Sequence, residues 1–219
     1  MRFLLSSLLL LLGFCQLNAQ QDPQAKKVLA KFSSVAKAYS SIRMTYTLTV
    51  DDRQTKHKSS LNGSVLMKGK KFRITTPETE IYSDGKDVWN YIKNANELNI
   101  SRVNKKADDE ESFITNPTRL FDIYKTSYKM MYQGKKSVYN HNCHIVDLFP
   151  QNLNKSYSRI RLIIDADTYQ LVAAVSFAKS GVIYEMKTTD YQTNATIADA
   201  DINFNASRYP KVEVIDMRY

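Results

Sequence analysis

The sequence predicts an α+β chain that is mainly antiparallel β: one sheet of about 10–11 strands, curled into a barrel or half-barrel, with helices covering its apolar face. Three observations carry this expectation. Apolar and polar residues alternate over most of the chain, as strands with one dry and one wet face require. Two stretches switch to helical spacing, each opened by an Asp-Pro or Asn-Pro pair. Short turn signals separate the elements, with no repeat and no interdomain linker, so the 219 residues read as one domain behind an N-terminal segment.

Asp22-Pro23 supplies a capping oxygen and a proline that loses nothing in a first helical turn. Val28, Leu29, Phe32, Val35, Ala36 and Tyr39 then make one apolar stripe, ended by Ser40-Ser41. The period becomes two at Ile42, Met44, Tyr46, Leu48 and Val50, which alternate with Arg43, Thr45, Thr47 and Thr49. A turn over 51–55 precedes a strand over 58–67, in which Gly63 is expected to form a bulge or bend. Lys68-Gly69-Lys70 reverses the chain into a strand with Phe72 and Ile74 on one face, Arg73 and Thr75 on the other. Strand 80–82 runs into Ser83-Asp84-Gly85-Lys86, a hairpin signal, and 88–92 returns with Trp89 and Tyr91. Strand 98–103 follows the Asn94-Ala95-Asn96 turn.

The run 105–112 is charged and reads as a loop. Asn116-Pro117 starts a second helix with Leu120, Phe121 and Tyr124 along one side. Strands resume at 128–132, 143–149, 157–164, 171–177 and 182–191, with turns at 165–168 and 179–181, and a short last strand lies near 212–215.

The N-terminus reads as an export signal. Arg2 precedes an apolar run over 3–14, and Leu17-Asn18-Ala19 places a small residue before Gln20. Cleavage after Ala19 is expected, leaving a single domain over 20–219. The 12-residue run is shorter than the roughly 20 residues that span a bilayer. Lipid attachment at Cys15 is the competing outcome, disfavoured by the bulky Phe14 before it. Cleavage lowers the formal charge from +9 to +8, since only Arg2 leaves, and makes Cys143 the sole cysteine, so no internal disulfide is expected. The basic residues form no block; a solvated basic surface is expected rather than a nucleic-acid site.

Catalytic patterns are missing from the sequence. No glycine-framed serine follows a strand, and there is no phosphate loop or dinucleotide fingerprint. His57, His141 and His144 are the only histidines. In His141-Asn142-Cys143-His144, adjacent strand residues point apart, so Cys143 and His144 cannot share a metal, though His141 and Cys143 share a face. Asp108-Asp109-Glu110-Glu111 lacks the alternating spacing and glycine of a calcium loop. Asp84 before Gly85 fits turn chemistry better than acid catalysis. Trp89 and Tyr91 could stack on a ring-shaped ligand, with core packing the plainer role. The expectation is a chain that holds an apolar ligand and has no catalytic residues, no cofactor and no metal.

The stretch Gly63-Ser64-Val65-Leu66-Met67-Lys68-Gly69-Lys70-Lys71-Phe72-Arg73-Ile74, followed by Ser83-Asp84-Gly85-Lys86-Asp87-Val88-Trp89-Asn90-Tyr91, resembles the periplasmic outer-membrane lipoprotein carrier family, LolA. The export signal, the opening helix, the Asn116-Pro117 helix, the Asp165 turn and the closing Val212-Glu213-Val214-Ile215-Asp216 fit the same family. The resemblance implies an incomplete, half-open β-barrel with a helical lid over an apolar cavity. Met44, Tyr46, Leu48, Val50, Phe72, Ile74, Trp89, Tyr91, Ile160, Leu162 and Ile164 would line the cavity, and Val28, Leu29, Phe32, Leu120 and Phe121 the lid. Seven methionines and fourteen tyrosines suit an adaptable lining. The resemblance further implies a monomeric periplasmic carrier. It would take lipoprotein acyl chains from an inner-membrane lipoprotein-releasing ABC transporter and pass them to an outer-membrane acceptor. Carriers of this family have a functional arginine beside a proline where this chain reads Gly69-Lys70-Lys71, so that arginine's role is not carried over. A lipid-sensing binding module on the same scaffold, and a lipoprotein receptor anchored through Cys15, are the alternatives.

Overall fold

The computed structural model describes residues 22–103, 117–125 and 128–218. The export segment 1–19 with Cys15, the charged run 105–112, Asn116 and the side chain of Tyr124 lie outside the described residues.

Helix α1 (Pro23–Ala38) begins where the sequence places it. The Asp22 side chain accepts the backbone N–H of Gln24 and Ala25, two groups that a first turn cannot satisfy internally. Its buried side is Ala25, Val28, Leu29, Phe32, Ser33 and Ala36. The strands are β1 (Ile42–Asp52), β2 (His57–Lys68), β3 (Lys71–Thr75), β4 (Thr79–Ser83), β5 (Asp87–Ile92), β6 (Glu97–Arg102), β7 (Tyr128–Val138), β8 (His141–Pro150), β9 (Tyr157–Asp165), β10 (Leu171–Ala178), β11 (Val182–Thr193) and β12 (Glu213–Asp216). A 3₁₀ helix (Pro117–Lys125) precedes β7, and α2 (Asp199–Ile202) and a 3₁₀ turn (Ala206–Arg208) precede β12.

Among the described residues the twelve strands form one sheet in the order β12-β6-β5-β4-β3-β2-β1-β11-β10-β9-β8-β7. The outermost strands, β12 and β7, are not paired with each other, so the sheet does not close. The sheet has twelve strands among the described residues where about 10–11 are expected, and its arrangement has two further features. The chain runs outward from β1 to β6, crosses to the far edge at β7 and returns to β11, which pairs with β1. The last strand is parallel to β6, with Glu213 opposite Glu97 and Asp216 opposite Ile100. It is parallel because residues 194–212 traverse the half-sheet before it, and a traverse leaves the direction free where a hairpin does not.

The alternation in β1 holds. Ile42, Met44 and Tyr46 are buried on the inner face, the one covered by α1 and the longer 3₁₀ helix. On the outer face Thr45, Thr47 and Thr49 hydrogen-bond Thr189, Asn62 and Ser60 at 2.8, 2.9 and 3.1 Å. Gly63 makes no bulge; it pairs in register with Tyr46, and the shift falls instead between Thr45 and Tyr46 against β11. The reason for glycine is room, since a Cβ there would sit 2.4 Å from the Tyr46 ring. The Asp84-Gly85 turn is as the sequence suggests: Asp84 Oδ1 accepts the N–H of Lys86 and Asp87 at 2.8 and 2.7 Å, and Gly85 has φ +89°.

The outer face is not wholly wet. A small core of Cys143, Ile145, Ile163, Val172, Ala173 and Val175 lies there, with Val138, Phe177 and Ile183 around it. The β7–β8 turn reaches across it, and the Tyr139 hydroxyl donates to Glu185. A register shift between Tyr132 and Lys135, which includes Gly134, bends that hairpin.

Candidate ligand-binding site

The inner face brings most of the predicted lining and cover together. Met44, Tyr46, Phe72, Ile74, Ile160, Leu162 and Ile164 share one buried cluster with Val28, Leu29, Phe32, Leu120 and Phe121. Leu48 is half-buried at the margin of that cluster, and Val50, further along β1, lies outside it. Burial pushes the Tyr46 phenol up, so the hydroxyl stays neutral within this layer.

Trp89 and Tyr91 lie elsewhere. Val88 takes the inner face, so Trp89 next to it, and Tyr91 two residues further, point outward. Trp89 stacks on Phe204 with centroids 5.4 Å apart, and Tyr91 meets Tyr209 at 4.4 Å. Residues 194–218 therefore form a strap that seals the outer face of β3 to β6. Beneath it Glu80 accepts from Arg73, Tyr82 and Tyr209, each at 2.9 Å. Burial alone would raise the Glu80 carboxyl, but these donors outweigh it and hold it below the usual carboxylate range.

The histidine–cysteine cluster splits. His141 pairs with Asp165 at 3.0 Å, Cys143 is buried on the outer face, and His144 turns inward to the Tyr132 hydroxyl at 2.8 Å.

Polar contacts tie the covering helices to the sheet and to each other. Asp22 Oδ2 accepts the Tyr132 N–H at 2.8 Å, which ties α1 to β7. Lys37 pairs with Asp122, and Phe32 meets Phe121 at 5.4 Å, so the two helices contact each other as well as the sheet.

Open space is distributed unevenly. Between the 3₁₀ helix and the sheet the gap bounded by Met44, Tyr46, Leu120 and Met186 is about 20 Å³, room for a single water. A larger pocket of about 630 Å³ opens at one end, among the C-terminal end of α1, the β2–β3 turn, the β4–β5 turn and the start of the 3₁₀ helix. Ile42, Met67, Phe72 and Phe121 form its apolar part, with Lys37, Lys70, Arg119 and Asp122 around them. Sequence reasoning finds Phe72 and Phe121 but not Ile42, Met67 or Lys70; the Lys-Gly-Lys-Lys run beside a strand of inner-face residues is the signal that marks this end.

Residues 15–180 match the family described as outer membrane lipoprotein carrier protein LolA. The chain belongs to the LolA family. No curated protein sequence matches it. Among solved structures, an uncharacterized conserved protein from Thermus thermophilus is similar at a TM-score of 0.60 and 15% identity, over 88% of this chain and 99% of that one. LprF from Mycobacterium bovis is similar at 0.48 and 16%, over 81% and 96%. A LolA-superfamily protein from Nitrosomonas europaea is similar at 0.43 and 12%, over 82% and 97%. At these identities the likeness is one of fold. The LolA match ends before β11 and the strap, so the element that covers Trp89 lies beyond the matched residues.

Proposed function

We propose that this LolA-family chain is a periplasmic carrier that holds the acyl chains of lipoproteins between its sheet and its two inner-face helices. It takes them from an inner-membrane ABC transporter and delivers them to an outer-membrane acceptor. It does so by binding alone, without catalysis. The observation that supports this is the inner layer itself: two helices cover a broad apolar sheet face in one shared apolar cluster, beside a pocket of about 630 Å³.

A chain of ~16 carbons gains roughly 0.8 kcal/mol per methylene on leaving water, so two or three chains cannot cross an aqueous space unaided. The inner face supplies apolar cover, and in this reading the helices act as a lid that moves outward from the nearly closed gap under the 3₁₀ helix to admit a chain. The methionines Met44, Met67 and Met186 suit such repacking, because their side chains adapt in shape at small cost. Vacated, the layer closes on itself, which lowers the cost of release.

The test is native mass spectrometry of the chain purified from the periplasm, together with lipoprotein release from spheroplasts. Co-purified lipoprotein, and loss of release with Leu48→Glu, are expected. Normal release by that variant would overturn the reading. A specific protein partner with no transfer activity would favour a lipid-sensing module instead.

A further inference from the structure

The pocket at the end of the inner layer is asymmetric in charge. Its apolar part comes from Ile42, Met67 and Phe72. Among the described residues that line it, Lys37, Lys70 and Arg119 are basic and Asp122 is acidic, the last shared between Lys37 and Lys125.

Lys70 is placed by the backbone around it. The β2–β3 turn carries three lysines, and two are engaged on the outer face: Lys68 with Asp199 at 3.2 Å and Lys71 with Asn203 at 2.9 Å. Lys70 has no such partner among the described residues and lines the pocket. Its stem lies against the β4–β5 turn at Gly85, where an added Cβ would stand 2.7 Å from the Lys70 Cβ. Gly85, at φ +89°, thus serves two ends, the tight turn and the close passage of the lysine. A cation held at the rim of an apolar pocket of this size fits an amphiphile whose charged end stays wet while its chain enters.

We infer that this pocket binds a single-chain amphiphile with an anionic head, a carboxylate or a phosphate, and that Lys70 receives the head while the chain runs over Met67 and Phe72 into the inner layer. The inference rests on the acyl-binding reading above and adds a preference that an uncharged lipid anchor would not need. Charge-assisted hydrogen bonds of this kind favour the anion by about tenfold.

The experiment is calorimetric titration of the mature chain with oleate, oleoyl lysophosphatidate, monoolein and inorganic phosphate. Both anionic amphiphiles are expected to bind about tenfold more tightly than monoolein at low salt, with the difference shrinking as salt rises. Lys70→Gln should remove that difference, the anionic amphiphiles falling to the affinity of monoolein. Gly85→Ala, which displaces the lysine stem without touching its charge, should reduce it in the same direction. Equal affinity for all three amphiphiles overturns the anionic preference alone. Phosphate binding as tightly as lysophosphatidate overturns the amphiphile in favour of a free-anion site. No binding of any amphiphile overturns this inference and the acyl-binding reading together.

Discussion

Asp22 and Tyr132 join the first turn of α1 to the edge of the sheet, the carboxylate accepting the backbone N–H of β7 at 2.8 Å while its other oxygen caps the helix. One residue thus serves both as a helix cap and as a fastening of the proposed lid. The cap alone is worth about 1 kcal/mol. Asp22→Ala should lower unfolding stability by about 1–2 kcal/mol and speed exchange of the Tyr132 amide, as read by hydrogen exchange. An unchanged Tyr132 rate would show that the tether does not hold the helix.

The same pair sets an acid dependence. The Tyr132 N–H, chiefly, holds the Asp22 carboxyl below its usual value, against an opposing effect of burial and with help from the Ala25 and Gln24 N–H groups. A carboxyl depressed in the folded state stabilises fully above its unfolded value, near ~4, and loses that contribution as pH falls through the folded value. Asp22→Asn should therefore flatten the decline in stability below about pH 4 in urea titrations. A slope equal to that of the natural chain would count against the assignment.

Asp147 is fully buried on the outer side of β8 and takes a two-pronged contact from Arg161 at 2.7 and 2.8 Å, with Arg159 at 3.3 Å. The arginines keep about a third of their side-chain surface in water, so the partners are not equivalent. Removing Asp147 frees two cations that can turn to solvent; removing Arg161 strands a carboxylate with one remaining cation. Arg161→Ala is expected to cost about 2–4 kcal/mol and to exceed the cost of Arg159→Ala, by chemical denaturation.

Gly63 and Tyr46 form a close pair across β1 and β2. Gly63→Ala brings a methyl within 2.4 Å of the ring and should cost about 1–3 kcal/mol through overpacking. Tyr46→Leu in the Gly63→Ala background should recover part of that loss, because the shorter side chain vacates the space above the new methyl. Strict additivity of the two changes would exclude the contact as the cause.

Trp89 is the only tryptophan, and it stacks on Phe204 at an interplanar angle of 6°. Its fluorescence therefore reports the docking of the strap. Phe204→Ala should shift the emission to longer wavelength and lower stability by about 1–3 kcal/mol, with little effect on lipid binding at the inner face. An unshifted spectrum would mean that other strap residues keep the indole covered.

These cases show where sequence reasoning reaches. Alternation in β1 identifies Met44 and Tyr46 as inner residues, because neighbours two apart share a face whatever the tertiary fold. The Asp22 and Asp84 oxygens are legible for the same reason: their partners lie within three residues. Trp89 and Tyr91 are assigned to one face correctly, but the sign of that face depends on Phe204 and Tyr209, far along the chain. Gly63 signals a departure from ordinary packing without saying which; only the Tyr46 ring across the strand shows that it makes room rather than a bulge. The pocket escapes because Ile42, Met67 and Lys70 meet only when two turns and two helices converge.

The open sheet has a consequence for life at high concentration. A sheet that does not close leaves two rows of unsatisfied backbone groups, each a template for another chain. At one end the template is only four residues long, since β12 occupies the edge that β6 would expose. At the other, β7 is eleven residues but is interrupted by its register shift, carries exposed Lys129, Lys135 and Lys136, and has its Tyr132 N–H occupied by Asp22. The fastening that holds the first helix thus also occupies part of that edge, and the outward movement proposed for the lid would uncover it at the same moment.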